Sequence, residues 1–285
     1  MKFTAVLRIT TFAMMLPTHA LADCDITDTL LKQAYPKAEQ VADGLAVKSG
    51  GYAQVINPDN VVCKVWPYRP ELTLAAIPIL EAVPPAEGEN KGDVEIIVFN
   101  RTTGKLLARR IETGMAFSDA IQFSSLELDT ARYDVSSDLR AFGLRTSQNG
   151  SSRVNPYDEH ALWLYTFNNG GIERVLDGLI MERTNGENDG DCSGSSTTIK
   201  RTLTIAPKKE PGYRELRVEQ TVMHETSTKT AAECHSSNRF DQPVHFSLAY
   251  RDGRYRPVAG VNVGSDKGDI DDDLFSSITV GAGKP

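Results

Sequence analysis

The chain has 285 residues, of which 40% are hydrophobic and 24% are charged, and its formal net charge is −7 at pH 7. This composition is typical of a folded globular protein and excludes a disordered or collagen-like chain. An acidic surface repels phosphate backbones and anionic lipids, so nucleic acid is a poor partner. No run of about 18 apolar residues occurs, so we expect no membrane span in the mature protein.

The first 22 residues have the three parts of a secretory signal peptide. Lys2 and Arg8 form the basic start, an apolar segment follows, and Ala20-Leu21-Ala22 fits a cleavage site. Asp23 precedes Cys24 where a lipoprotein would carry a small residue, which favours soluble export over a lipid anchor. Cleavage removes two basic and no acidic residues, which takes the net charge from −7 to −9. We therefore expect a periplasmic protein.

All four cysteines follow this segment: Cys24, Cys63, Cys192 and Cys234. An even number of cysteines in an exported protein predicts two disulfides. Three pairings are open, and we favour Cys24–Cys63 with Cys192–Cys234 because each pair lies within one region. The second bond would close a loop of about forty residues, which stabilises by roughly 3–4 kcal/mol in the chain-entropy model. A zinc site is the alternative, but it requires Cys-x-x-Cys spacing, which is absent.

The N-terminal region carries the only helical pattern. Leu30, Leu31 and Ala34 would form one apolar face, and Pro36 would end that helix. A second short helix is expected at residues 38–42.

The rest of the chain predicts a β-fold, because short β-type segments alternate with turn sequences. The predicted strands cover residues 52–56, 61–66, 72–80, 94–99, 106–111, 123–128, 139–145, 161–167, 172–180, 198–205, 215–223, 244–250 and 255–258. Pro78 would make its strand an edge strand or irregular. We expect an all-β fold, an antiparallel meander that forms a partial propeller or a β-sandwich, with one or two short N-terminal helices.

Composition divides the chain into four parts. These are a signal peptide at 1–22, a helix plus strands at 23–85, an antiparallel β domain at 93–258 and an acidic tail at 259–285. The Pro-, Gly- and charge-rich segment 81–92 is the candidate linker or surface loop.

An oxygen-rich loop at residues 185–191 is a candidate calcium site, since Ca²⁺ takes roughly six to eight oxygen ligands. The candidate ligands, which alternate along the loop, are Asn185, Glu187, Asp189 and Asp191. In an EF-hand register Ser196 stands where the motif requires a bidentate Glu. A solvated polar loop is the alternative, and no other cofactor is indicated.

The most site-like cluster combines carboxylates, an imidazole and aromatic rings, which could grip a sugar or a peptide. Its members are Asp158, Glu159, His160, Trp163 and Tyr165. In the alternative, the aromatic residues share one side of a strand and the carboxylates lie in the preceding turn.

Other catalytic patterns are weak. The segment at 190–194 resembles the nucleophile loop of chymotrypsin-like proteases, but Ser193 stands one place late and Cys192 is expected in a disulfide. The histidines lack metal-binding spacing, and no nucleotide-binding glycine motif occurs.

The run GYRELRVEQTV begins with glycine, an aromatic residue and then Glu-Leu, and the later run LAYRDGRYRPV contains an Asp-Gly turn followed by Tyr. The residues concerned are Gly212, Tyr213, Glu215 and Leu216, then Asp252, Gly253 and Tyr255. Over about forty-five residues they resemble the propeller-like FG-GAP or VCBS-type strands of exported bacterial proteins. The acidic calcium loops of FG-GAP repeats are not reproduced in order. The resemblance implies an extracytoplasmic β-fold with an interaction surface, and it implies no activity.

The sequence thus predicts a soluble periplasmic binding or interaction protein without catalytic activity. Its expected partner is an extracytoplasmic protein or a glycan. The alternative is an extracytoplasmic hydrolase that acts on glycan or peptide, which would require a pocket that gathers carboxylates from separate strands.

Overall fold

The computed structural model describes residues 27–49, 52–82, 89–207, 212–231, 233–258, 274–278 and 280. Sixteen strands in these ranges form two antiparallel sheets, and one α-helix and one 3-10 helix accompany them. The predicted all-β fold is therefore confirmed. The predicted signal peptide, Cys24 and the predicted acidic tail at 259–285, apart from residues 274–278 and 280, lie outside the described residues. Among the helices described, none is long and apolar enough to cross a membrane.

The first sheet is built from the N-terminal part of the chain. Its elements are α1 (Thr27–Ala34), β1 (Glu39–Val41), β2 (Gly44–Ser49), β3 (Tyr52–Ile56), the 3-10 helix Pro58–Asn60, β4 (Val62–Val65), β5 (Leu72–Glu81), β6 (Gly92–Asn100) and β7 (Lys105–Glu112). The strand order is β1-β2-β3-β5-β6-β7, and β4 also pairs with β5. The predicted apolar face of α1 packs on one side of this sheet, where Leu30 and Leu31 meet Ile77 and Ile97.

The second sheet is a meander. Its strands are β8 (Ile121–Tyr133), β9 (Ala141–Gly150), β10 (Tyr157–Asn168), β11 (Gly171–Asn188), β12 (Gly194–Ile205), β13 (Leu216–Lys229), β14 (Cys234–Phe240), β15 (Val244–Arg251) and β16 (Arg254–Pro257). Neighbouring strands from β8 to β13 pair in chain order, and β13 then pairs with both β14 and β15. The hairpin predicted around residues 168–171 joins β10 to β11.

The two sheets share one hydrophobic core. Leu74 of β5 and Ile96 of β6 pack with Phe142 of β9 and with Trp163 and Tyr165 of β10. Alternation along each strand sends every second residue to this interface.

A chain of charged side chains links the two sheets inside the protein. Glu112 at the end of β7 is fully buried, and its carboxylate oxygens contact Arg110 and Arg174, each at 2.6 Å. Arg174 of β11 also contacts Asp177 at 2.6 Å, and Asp177 contacts Arg254 of β16 at 3.2 Å. A buried carboxylate is tolerated only with such partners, so this chain fixes β7, β11 and β16 relative to one another.

The second sheet folds back on itself beyond Lys200. Up to that residue β12 pairs with β11, where Glu182 lies opposite Lys200. Farther along, β12 pairs with β13 alone, and Leu216 and Leu248 pack on Leu162 of β10. A second hydrophobic core therefore forms on the face of β10 that points away from the first sheet.

Two local predictions were wrong. Residues 38–42 form the β1–β2 hairpin and not a helix, because five residues are too few to nucleate a helix without tertiary contacts. The strand that contains Pro78 lies inside the sheet and not at its edge. One edge of β5 pairs with β6 along its length. The other edge pairs with β4 at Thr73–Ala76 and with β3 at Leu80–Glu81, so Pro78 falls in the gap between β4 and β3. That gap accommodates a residue without a backbone N–H donor.

The two runs that resemble FG-GAP strands are neighbours in space. Tyr213 stacks on Tyr250 with ring centroids 3.7 Å apart, and Tyr255 packs edge-on against both. The Asp-Gly turn at Asp252 and Gly253 joins β15 to β16. The resemblance to that family stays a prediction.

Gly178 tests how closely β10 and β11 approach. Its φ is +60°, and a Cβ added there would lie 2.6 Å from the Trp163 ring. We expect Gly178→Ala to lower the free energy of unfolding by about 2–4 kcal/mol, from backbone strain plus overpacking. Gly170→Ala is the matched control, since its φ is +75° with no atom within 4 Å of the added Cβ. That control should lose only about 1 kcal/mol in urea unfolding. Equal losses would show that Trp163 does not limit the site.

Candidate functional site

The face of the second sheet that points away from the first sheet carries rows of polar side chains. Strand register places Ser147, His160, Glu182 and Lys200 side by side on β9, β10, β11 and β12. Directly opposed residues point to the same face of a sheet, so these side chains form one row.

The same face continues toward the β11–β12 turn. Two residues farther along the strands, a second row contains Asn149, Asp158, Thr184 and Thr198. Thr184 and Thr198 are hydrogen-bonded through their hydroxyls at 3.0 Å. Polar rows therefore cover this part of the face without interruption.

A cavity of about 650 Å³ opens where β12 parts from β11. Arg145, Ser147 and His160 lie on its β9–β10 side, and Lys200 and Leu203 of β12 form part of the opposite wall. We call this cavity the cleft. It combines cations, the carboxylates of Glu127 and Glu182, hydroxyls and apolar side chains in one concave site.

Ser147 and His160, which line the cleft, form a hydrogen-bonded chain with Asp158 beside it. The Ser147 Oγ is 2.7 Å from His160 Nδ1, and His160 Nε2 is 2.9 Å from Asp158 Oδ1. The side chains of His160 and Asp158 are 47% and 51% exposed, so the imidazole is accessible from the cleft. Asp158 and His160 are two residues apart on β10 and therefore point to the same face.

The predicted cluster is divided between the two faces of β10. Glu159, Trp163 and Tyr165 are buried on the face toward the first sheet, away from Asp158 and His160. Trp163 Nε1 donates to Thr146 Oγ1 at 3.0 Å. The two carboxylates lie inside β10, which begins at Tyr157, rather than in a preceding turn.

Glu159 is held by hydroxyl groups on the buried face. Its carboxylate accepts hydrogen bonds from Tyr157 at 2.7 Å and from Ser276 at 2.5 Å. Burial and the hydrogen bond to Glu159 raise the pKa of Tyr157, so Tyr157 remains a donor at neutral pH. Since Ser276 follows the last strand, this contact ties the C-terminal segment to β10.

A second cavity, of about 550 Å³, lies at the far end of the polar rows. Asn188, Ser196 and Glu225 line it together with Arg153 and Val154 of the loop before β10. We call it the tip cavity. The backbone of that loop is fixed because Val154 O accepts from Asn188 N at 2.8 Å.

The predicted Cys192–Cys234 disulfide is present, and it borders the tip cavity. It joins the β11–β12 turn to the start of β14. Cys63 is also disulfide-bonded, and its predicted partner Cys24 lies outside the described residues. Because Cys192 is disulfide-bonded, it has no free thiol that could act as a nucleophile beside Ser193.

The four candidate calcium ligands do not converge on one point, although Glu187 and Asp191 both line the tip cavity. Asn185 and Glu187 are exposed on β11, and Asp191 pairs with Lys229. The Asp189 carboxylate accepts the backbone N–H groups of the turn that follows it, which lowers the pKa of Asp189. In the part of the chain described, no group of three or more His, Cys, Asp or Glu side chains is arranged to hold a metal ion.

Ser147 is one of the site residues that sequence reasoning missed. It lies in a polar run at the end of β9, and nothing in its local sequence distinguishes it from Ser125 or Ser151. The contact with His160 depends on the register between β9 and β10, which a single sequence does not give.

The Asp129 carboxylate accepts hydrogen bonds from two residues of the cleft wall, Tyr133 and Arg145. Burial acts to raise its pKa, but hydrogen bonds from Ala131 N, Tyr133 Oη and Arg145 outweigh burial and lower the pKa below its ordinary value of 3.8. Both side-chain contacts measure 2.8 Å. A carboxyl group with a lowered folded pKa stabilises the fold above its unfolded pKa and loses that effect as the pH falls through the folded value.

We therefore expect Asp129→Asn to cost about 1–2 kcal/mol at pH 7, because Arg145 loses a charged acceptor. The difference from the unmodified protein should shrink as the pH falls below 3.8. Thermal melts at pH 7 and pH 3 measure it, and Asp43→Asn in the exposed β1–β2 turn is the control. A difference that does not depend on pH would contradict this assignment.

Comparison of the chain with protein-family models, with curated proteins and with solved structures finds no match. The functional conclusion therefore depends on the geometry of the cleft, the tip cavity and the polar rows between them.

Proposed function

We propose that the protein is an extracytoplasmic binding protein that holds an extended, uncharged glycan along the polar face of its second sheet. One observation carries this proposal: two cavities lie on the same face, joined by continuous polar rows. Along β11, the row of Glu182 and the residue Asn188 at the tip cavity are six residues apart, which is roughly 20 Å of strand. A ligand that fills both cavities must therefore be extended.

The charges on this face favour a neutral ligand. Glu182 contacts Lys200 at 2.9 Å, and Asp158 contacts His160 at 2.9 Å. Because each of these two carboxylates is held by a neighbouring side chain, this part of the face has no strong bias toward anions or cations. Their remaining hydrogen-bonding capacity, with the hydroxyls of Thr184 and Thr198, matches a ligand rich in hydroxyl groups.

The expected location rests on two features. The first 22 residues have the pattern of a signal peptide, and disulfides such as Cys192–Cys234 form and persist in oxidising compartments. Both support a periplasmic protein. The resemblance of two segments to FG-GAP or VCBS-type strands is in line with an exported interaction protein.

Titration calorimetry with neutral oligosaccharides of increasing length tests the proposal. We expect the affinity to rise with length until the ligand spans about 20 Å, and then to level off. Thr184→Arg, between the two cavities, should weaken binding about tenfold or more, which is about 1.4 kcal/mol. The matched control is Thr226→Arg, the same substitution at an exposed position on the opposite face of β13, which should bind as the unmodified protein does.

Affinity that does not depend on oligosaccharide length would contradict an extended site. Equal effects of the two arginine substitutions would contradict a site on this face. Failure of all neutral glycans, with a protein from envelope extract retained in a salt-resistant and Thr184-dependent manner, would replace the glycan with a protein partner.

A further inference from the structure

The hydrogen bonds that join Ser147, His160 and Asp158 to one another are not needed for ligand binding alone. A binding face needs donors and acceptors that point toward the ligand, but here three side chains are joined to one another. We propose that this chain is a nucleophilic hydrolytic centre that removes acyl groups from esters. The centre lies in the cleft, where an extended ligand would begin.

The three groups have the roles that serine hydrolysis requires. A serine hydroxyl becomes nucleophilic when an adjacent base takes its proton, and a third group orients that base. An ionised carboxylate only accepts hydrogen bonds, so Asp158 selects the imidazole form with the proton on Nε2. The His160 Nδ1 is then free to accept the Ser147 proton across the 2.7 Å contact. Ser147 and His160 are the catalytic residues, and Asp158 is a positioning residue.

The nitrogen atoms are used in the opposite sense from the serine proteases, in which Nε2 faces the serine. The chemistry needs one unprotonated ring nitrogen toward the hydroxyl and one N–H toward the carboxylate. The geometry fits both conditions, because Ser147 on the neighbouring strand faces Nδ1, and Asp158, two residues before His160 on the same face of β10, faces Nε2.

The cleft supplies room and cationic hydrogen-bond donors. Its volume of about 650 Å³ accommodates an acyl group together with part of the molecule that carries it. Arg145 stands two residues before Ser147 on the same face of β9, and Lys200 lies in the same row as His160; both line the cleft, where Arg145 contacts Asp129 at 2.8 Å and Lys200 contacts Glu182 at 2.9 Å. A paired guanidinium or ammonium group keeps further N–H groups, and such donors beside a reacting carbonyl stabilise the negative charge that develops on its oxygen.

The reaction needs no reactant other than the ester and water. Ser147 Oγ bonds to the carbonyl carbon while its proton passes to His160 Nδ1. The bond between that carbon and the alcohol oxygen then breaks, and the departing alcohol takes the proton from Nδ1. Water, activated by the same nitrogen, attacks the acyl group on Ser147 and releases a carboxylic acid, which restores the serine hydroxyl.

The substrate class follows from the openness of the site. An alcohol leaves more readily than an amine, so an accessible serine without deep enclosure suits esters better than peptide bonds. The choice of natural substrate rests on the proposed function: if the face binds a glycan, the ester that reaches Ser147 is a glycan that carries O-acyl groups.

The first test uses small esters, which need no glycan site. The purified chain should hydrolyse p-nitrophenyl acetate and should be labelled on Ser147 by a fluorophosphonate, located by peptide mass spectrometry. Ser147→Ala should remove the label and lower kcat/KM on the order of a hundredfold. Ser124→Ala is the control, an exposed serine on β8 outside the cleft, and it should retain both signals. Thermal melts confirm that each variant is folded.

Asp158→Asn separates positioning from mere structure. We expect kcat to fall about tenfold with KM unchanged, because the amide no longer selects the Nε2–H form of His160. Equal turnover by Ser147→Ala and the unmodified chain, or a fluorophosphonate on a different serine, would overturn the hydrolytic centre. Release of acetate from p-nitrophenyl acetate but not from O-acetylated oligosaccharides that bind would overturn only the glycan substrate. Binding of glycans by Ser147→Ala reports on the proposed function separately.

Discussion

The buried carboxylate of Glu112 is the constraint on which the arrangement of the sheets depends. It has no access to water, so the fold is stable only while Arg110 and Arg174 stay in contact with it. Arg174 also forms an ion pair with Asp177, and Asp177 forms one with Arg254 of β16. This ionic chain holds β16 against β11, and the apolar packing of Leu216 and Leu248 on Leu162 holds the same part of the sheet over β10. The cleft opens beside these contacts, where β12 departs from β11.

Local sequence patterns located the most deeply buried strands. Apolar runs and turn residues located β6 with β7 and β10 with β11, because both faces of β6 and of β10 lie in a core. The same reasoning missed β2, and it missed β14, whose residues are exposed on both faces and give no alternating pattern. It also misjudged Pro78, because the space between β3 and β4 is a property of the sheet and not of the segment.

The candidate site was accessible to sequence reasoning in part. Asp158 and His160 were singled out for their chemical types, and both line up on one face of the polar rows. Glu159, Trp163 and Tyr165 are equally conspicuous in the sequence, yet the two-residue period of β10 turns them into the core. Ser147 could be found only once the pairing of β9 with β10 was known. The proximity of side chains from different strands is information that a single chain carries only through its complete fold.

The Cys192–Cys234 bond has a consequence for the correctness of the fold. The outer halves of β11 to β14 are polar on both faces, so burial does not oppose a slip of one strand past its neighbour. A slip of two residues would preserve the polar rows but would separate Cys192 from Cys234. The covalent link thus records the pairing in which Lys229 lies opposite Cys234. Oxidative folding therefore selects a single alignment for the outer halves of β11 to β14. In a chain folded under reducing conditions, these outer halves would exchange among several alignments while the rest of the fold is retained.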